Sequence, residues 1–392
     1  MLLLCIVLIA ANLRPSITAV GPVLDDIRTS LQLSSGGASV LISIPLLAFG
    51  LFSPIAPWIS RRLGLEGALG AALGLLAVAI VTRSLPWTPA LWIGTALLGA
   101  AIAVMNVVLP SLVKRDYPNR VGQITGLYAA VLSGVAAVAA GIAVPIAGLA
   151  HEGWRLSLGV WAALAVVALI VLVPRLRRPA LPDVAAVPLP DELRGTPAAR
   201  SYRSPWTSAL GWQVTIFMGV QSTVFFTLIT WLPTIEQSTG ISAATAGFHQ
   251  FLLNIGSLVG SLVTAAAIHR GASDQRAVAV ASAVLIAIGV AAEIAAPSFS
   301  VIWVCIIGLG TGTAIALALS LFALRTSDHR QAAELSGMAQ SLGYLFAAAG
   351  PVAIGILHDM TDSWNIALVV ILALAAAQLV SSLFASRNRQ IG

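Results

Sequence analysis

The apolar positions of this chain cluster into twelve stretches of membrane-spanning length, separated by short polar turns. The first six lie near residues 2–24, 38–60, 65–82, 90–113, 121–148 and 154–173. The second six lie near 208–233, 242–268, 275–296, 300–324, 332–357 and 363–385. Each is long enough to cross an apolar layer about 30 Å thick as a helix rising 1.5 Å per residue. Residues 174–206 cannot span. They are rich in Pro, Ala and Arg and predict a flexible linker between two six-helix bundles, 1–173 and 207–392. The run Leu2–Ala11 has no positive segment ahead of it, so it is read as a retained helix and not a signal peptide. Met1 leaves almost no tail before that helix, which points to a start further upstream.

Composition agrees with the pattern. Of 392 residues, 58% are hydrophobic and 9% charged, where soluble chains carry about 25% charged residues. The mean hydropathy is +0.95. The expected class is an all-α membrane protein of twelve transmembrane helices. The net charge of +6 raises the question of nucleic acid. The basic residues sit in short loops between spans, so the lipid bilayer is the expected partner and nucleic acid is not. Cys5 and Cys305 both lie in apolar spans, which excludes a disulfide framework and a Cys/His metal pattern. No cofactor and no metal are expected.

Charge also orients the chain. With the N-terminus inside, seventeen of the 21 Lys and Arg residues fall in inside loops and three in outside loops, leaving Arg14 within a span. Both termini and the linker are therefore expected in the cytoplasm, and the protein in the inner or plasma membrane. The halves also echo one another. Arg115, Arg120 and Trp154 recur as Arg325, Arg330 and Trp364 at identical spacings. Two parallel six-helix halves around a midplane site is the architecture that such a repeat predicts. The loop arginines Arg61, Arg62, Arg115, Arg120, Arg325 and Arg330 are the gating candidates.

Arg14 is the outstanding chemical feature. It lies about 18 Å along the first span, near mid-bilayer, with no carboxylate in that span. A guanidinium there costs roughly 2.5–3.5 kcal/mol on insertion scales. Pro15 frees a carbonyl in the preceding turn and predicts a bend. Two readings follow: Arg14 binds a solute or serves a gate, or it caps freed carbonyls or binds a polar neighbour on span 4 or 5 and touches no solute. The matching position of the second half is Phe225, and that one-sidedness favours the solute.

Several segments narrow the picture. Asn12-Leu13-Arg14-Pro15 with Val20-Gly21-Pro22, Gln221-Ser222 with Phe226 and Trp231-Leu232-Pro233, and Leu335 to Ser341 with Gly343-Tyr344 and Gly350-Pro351 stand out. On these the chain resembles the major facilitator superfamily, and within it the cyanate/2-nitroimidazole permease (CynX/NimT) family. The loop Ser60-Arg61-Arg62-Leu63-Gly64 departs from the superfamily's usual pattern by lacking its Asp. The resemblance implies the major facilitator fold and carriage of a small solute by a multi-pass membrane protein. A monomer is expected.

The substrate-binding candidates are Arg14, Asn12, Asn106, Tyr128, Gln221, Phe226, Asn254, Gln340 and Tyr344. Each polar one competes with a plain helix–helix hydrogen bond. His249, about 10 Å in from the outer face, is a proton-coupling candidate or a neutral interhelical partner. The fifteen carboxylates map to loops or span ends, Glu293 coming nearest to an exception, so proton symport through a buried acid is not expected. The expected function is transport of a small polar, anionic solute by alternating access. The alternatives are a hydrophobic-compound exporter of the same superfamily and, from another class, a membrane solute sensor. An enzyme is not expected, because the spans hold no catalytic or metal-binding cluster.

Overall fold

The computed structural model describes residues 2–33, 35–176, 203–269 and 274–391. Most of the predicted linker, 177–202, lies outside the described residues. The elements are helical throughout. The first span is α1 (Leu2–Ala11), α2 (Pro15–Thr18) and α3 (Leu24–Leu31) in succession. Then come α4 (Ser35–Phe52), α5 (Ala56–Arg83), α6 (Thr88–Asp116), α7 (Val121–Ala147), α8 (Trp154–Gly159) and α9 (Trp161–Leu176). The second half of the chain holds α10 (Ala209–Ser238), α11 (Ala243–His269), α12 (Arg276–Ala295), α13 (Ser300–Leu324), α14 (His329–Thr361) and α15 (Trp364–Ala385).

Eleven segments among the described residues are long and apolar enough to cross a membrane. One of them, Val40–Arg83, is 44 residues long and is two spans in series. The chain turns between them at Gly64, whose φ of 73° and ψ of 168° suit glycine and are costly for other residues. The result is twelve crossings, as the hydropathy pattern predicts. Cys5 Sγ lies 3.7 Å from the Val171 carbonyl, so the start of α1 lies beside the end of α9.

The first span is broken, where a bend is the sequence expectation. Asn12 to Arg14 are not helical. Proline removes one amide donor and disfavours the α conformation of the residue before it, and Arg14 accordingly sits at φ −123°, ψ −37°. Side chains close the break. Asn12 Nδ2 donates to the Leu8 carbonyl at 2.8 Å and to the Leu164 carbonyl of α9 at 3.3 Å. Thr18 Oγ1 donates to the Arg14 and Ala136 carbonyls at 3.2 and 3.3 Å. The matching helix of the second half, α10, runs without interruption from Ala209 to Ser238.

The two halves of the chain meet tightly from the arginine-rich face to the middle. Helix α7 packs on α11 so closely that a Cβ on Gly126 would fall 2.2 Å from Ala265 Cβ. Small residues at such a seam let helix backbones approach. Ser341 Oγ of α14 donates to the Gly50 carbonyl of α4 at 2.7 Å. Gln340 Nε2 donates to the Asn106 carbonyl of α6 at 2.9 Å. Toward the opposite face, α7 and α11 expose Val138, Ile142, Phe248 and Phe251.

Candidate functional site

A narrow cavity lies where the halves meet at mid-depth. Its walls are Arg14, Leu132, Ser133, Ala136, Gln221, Ser222, Phe225, Phe226, Asn254, Ser257, Ile315 and Tyr344. At its centre there is room for little more than one water molecule. The break in the first span brings Arg14 to it. The guanidinium carbon stands 4.9 Å from the Phe225 ring centre and 5.5 Å from that of Phe226. Among the described residues this guanidinium makes no hydrogen bond and no ion pair. Its five N–H donors face aromatic faces and the cavity. Asn12 and Thr18, not the Arg14 guanidinium, hold carbonyls at the break, those of Leu8 and Arg14, and the guanidinium caps no carbonyl among the described residues.

Around Arg14 the walls divide by chemistry. Phe226 stands edge-on to Tyr344 at 6.2 Å and to Phe225 at 5.3 Å, forming an aromatic wall. Gln221 Nε2 is occupied locally, by the Ser222 hydroxyl at 2.8 Å and by Met218. Asn254 Nδ2 donates back to the Gln250 carbonyl at 2.9 Å. Ser133 of α7 and Ser257 of α11 meet at 3.3 Å across the seam.

Of the nine candidate ligands, Arg14, Gln221, Phe226, Asn254 and Tyr344 line this cavity and four do not. Asn12 is spent on closing the helix break. Asn106 accepts at its backbone carbonyl from Gln340, and that glutamine is fully buried in the seam, its Nε2 also donating to the Ser336 hydroxyl at 2.8 Å. Tyr128 is fully buried in α7, one turn from the wall residue Leu132, and is not itself part of the wall. Polar groups in apolar helices settle on any nearby carbonyl, and residue type does not say which. Sequence reasoning missed Ser133 and Ser257 and noted Ser222 only within the Gln221-Ser222 motif, not as a wall residue. Serines are common in membrane helices, and no pattern marks Ser133 or Ser257.

The gating candidates separate in the same way. Arg61 reaches Glu334 of α14 at 3.4 Å and so links the two halves. Arg62 lies over the Trp58 ring at 4.3 Å. Arg115 pairs with Glu66 and with Asp116, and Arg175 joins the same two acids at 2.8 and 3.0 Å. That network is internal to the first half. Arg325 is buried within the second half and donates to Gln275, the Ala385 carbonyl and the Ser386 carbonyl, tying the ends of α12, α13 and α15. Arg120 is exposed at the face. The amide of Arg330 is held by the Asp328 cap of α14.

Three further charged residues that hydropathy places in loops or at span ends are buried. Arg83 is 1% exposed and donates to the Ser16 carbonyl at 2.6 Å and the Leu158 carbonyl at 3.3 Å. Glu236 and Glu293 are also buried, which corrects the expectation that the spans hold no buried acid. Both lie in the last turn of their helices, on faces turned toward α11 and α13. Glu236 Oε1 is 2.8 Å from His249 Nδ1 and 2.8 Å from Ser300 Oγ, and Ser300 Oγ is 2.5 Å from Glu293 Oε1.

Residues 3–351 match the Major Facilitator Superfamily family model. The chain belongs to that superfamily. It is 41% identical to "Uncharacterized transporter YycB" of Bacillus subtilis (strain 168), covering 98% of this chain and 93% of that one. It is 37% identical to the "2-nitroimidazole transporter" of Escherichia coli (strain K12), over 98% and 95% of the two chains. It is 28% identical to "Cyanate transport protein CynX" of the same strain, over 93% and 91%. The fold superposes on that of the proton:xylose symporter XylE with a TM-score of 0.79 at 12% identity, over 99% and 96% of the chains. The protein is thus a multi-pass membrane transporter of the major facilitator superfamily, related to the cyanate and nitroimidazole permeases.

Proposed function

We propose that this transporter carries a compact polar solute, anionic or rich in acceptor oxygens, through the Arg14 cavity by alternating access. The observation that carries the reading is a guanidinium at mid-membrane depth with no carboxylate and no hydrogen bond, facing a cavity. A planar fork of donors matches the two oxygens of a carboxylate or nitro group. The Phe225, Phe226 and Tyr344 rings supply apolar faces for a flat ring or a small linear ion. Two relatives are named for 2-nitroimidazole and for cyanate, and both solutes combine these properties. A hydrophobic-compound exporter is less well supported, because an uncompensated cation in the cavity disfavours cationic drugs.

The moving parts are residues 1–173 and 207–392, rocking about the cavity. The seam that joins them on the arginine-rich face supports assigning this structure to the outward-facing state. The 17 to 3 distribution of basic residues supports a cytoplasmic location for that face and for both termini, in the inner or plasma membrane. A C-terminal reporter active only in the cytoplasm is the expected result; activity only outside would invert the assignment.

The test of the site is Arg14→Ala. Charge-assisted hydrogen bonds contribute about 1.5–3 kcal/mol. Affinity for cyanate or 2-nitroimidazole, measured by calorimetry on folded protein, should fall roughly tenfold to a hundredfold. Arg14→Lys should recover only part of it, since an ammonium lacks the fork. Unchanged affinity in folded Arg14→Ala protein would remove Arg14 as a ligand.

A further inference from the structure

The acids at the outer end of the second half hold more contacts than their protons can supply. Four helices converge there. Glu236 comes from α10, His249 from α11, Glu293 from α12 and Ser300 from α13. All four are 6% exposed or less. Three close contacts join them: His249 Nδ1 to Glu236 Oε1, Ser300 Oγ to Glu236 Oε1, and Ser300 Oγ to Glu293 Oε1. Each hydrogen bond needs one proton. A neutral histidine supplies one at Nδ1 and the serine hydroxyl supplies one. With both carboxylates ionised the third contact would set bare lone pairs against each other at hydrogen-bond distance. One carboxyl must therefore carry a proton.

With the imidazole proton on Nδ1, two arrangements satisfy all three contacts. In one, Glu293 donates to Ser300 Oγ, Ser300 donates to Glu236, and Glu236 also accepts from His249. In the other, Glu236 donates to Ser300 Oγ, Ser300 donates to Glu293, and the histidine again donates to Glu236. Both hold one carboxyl proton on the pair. Two buried acids at close range bind protons as a pair, not as independent groups. Glu236 Oε2 and Glu293 Oε2 are buried without any partner, so nothing else in the site offsets a second negative charge.

The surroundings leave the pair to this chemistry. The titratable groups that face Glu293 are Glu236 and His249. Helices α14 and α15, which pack on α10, bring His358, stacked on Trp364 at 3.8 Å, and the exposed Asp362 to the same end. No arginine or lysine is within ion-pairing distance of Glu236 or Glu293 among the described residues.

We propose that Glu236, Glu293, Ser300 and His249 form a proton-binding site, and that its proton is the coupling ion of the transporter. The coupling half of this rests on the transport reading above. The mechanical link is direct. His249 precedes the cavity residue Asn254 on α11 by five residues, about 7.5 Å along the helix. Glu236 follows the cavity residue Phe226 on α10 by ten residues, about 15 Å. With the proton bound, α10, α11, α12 and α13 are tied at their outer ends. Its loss leaves two buried like charges sharing one hydroxyl donor, which drives α10 and α12 apart. Because both cavity-lining helices end in this knot, its occupancy biases the cavity they line.

Infrared titration and gradient-driven uptake test the two halves separately. Wild-type protein in nanodiscs should show a carboxylic-acid C=O band at pH 7 that shifts in heavy water. The band should vanish in Glu293→Gln or Glu236→Gln and shift in Ser300→Ala, which keeps both acids. Absence of the band in wild-type protein at pH 7 would overturn the site. In proteoliposomes an imposed proton gradient should drive accumulation of 2-nitroimidazole or cyanate. In Glu293→Gln that accumulation should fall at least about tenfold while counterflow exchange of the same probe continues. Undiminished gradient-driven uptake in Glu293→Gln would overturn the coupling role. If wild-type protein moves neither probe in counterflow, the solute reading fails, and the infrared band still decides the proton site.

Discussion

The two halves of this transporter repeat a scaffold and differ in the costly charges they bury within it. The first half holds Arg14 and Arg83 within the bundle, neither with a carboxylate partner. The second half holds Glu236 and Glu293, with one histidine between helices. Symmetry covers what any six-helix bundle needs, such as Arg115 and Arg325 at matching helix ends. Asymmetry is confined to the groups that cost most to bury. A costly group present in one half and absent from the other is not required by the shared scaffold, so each one needs its own account. The two arginines sharpen the point. Arg83 is matched by two carbonyls and acts as a rivet; Arg14 is matched by none and faces the cavity.

The largest expected effect separates charge from position. If binding needs only a guanidinium in the cavity, the exchange Arg14→Phe with Phe225→Arg returns one from the other wall, 4.9 Å away. It should regain at least about tenfold of the affinity lost in Arg14→Ala, which is 1.4 kcal/mol. No recovery in folded protein would mean that the broken helix at Pro15 sets the angle of approach, and that the asymmetry lies in backbone as well as charge.

Arg83→Leu is the next in size and should act on stability alone. It removes two charge-assisted hydrogen bonds to the Ser16 and Leu158 carbonyls and relieves one buried charge. The net loss expected is about 2 kcal/mol, read as a lower melting temperature in detergent, with solute affinity unchanged. Loss of affinity with intact stability would make Arg83 a second functional cation.

Much of this was legible in the amino-acid pattern, and the limits are physical. Twelve spans follow from hydropathy, because the bilayer demands apolar residues on every outward face. Arg14 follows from cost. The break at Asn12–Arg14 is more than the bend Pro15 suggests, because Asn12 satisfies carbonyls in two helices at once, a contact that needs the α9 backbone in place. Glu236, Glu293 and Arg83 look like loop residues because each lies within a turn or two of a span end. Whether such a residue turns inward depends on helix rotation, and a helix apolar all round carries no periodic signal for that. Gln340 and Asn106 look like ligands for the same reason and instead form the seam.

The smallest expected effects lie in that seam, where one buried and one exposed contact join the same helix, α14, to the first half. Gln340 Nε2 donates to the Asn106 carbonyl at 2.9 Å with no exposure. Arg61 meets Glu334 at 3.4 Å, with their side chains 54% and 25% exposed. Water competes for the second pair and salt screens it, so its contribution is under about 1 kcal/mol. The buried bond is worth about 1 kcal/mol net, and truncating it also strands the Asn106 carbonyl. Spin labels at residues 63 and 329 would read the population in which this face is closed. Gln340→Ala should lower the closed-to-open ratio by about fivefold or more, and Arg61→Ala by less than fivefold. The Arg61 effect should disappear in about 1 M salt, where the screening length is near 3 Å, while the Gln340 effect persists. A salt-resistant shift in Arg61→Ala as large as that of Gln340→Ala would make the exposed pair a gate in its own right.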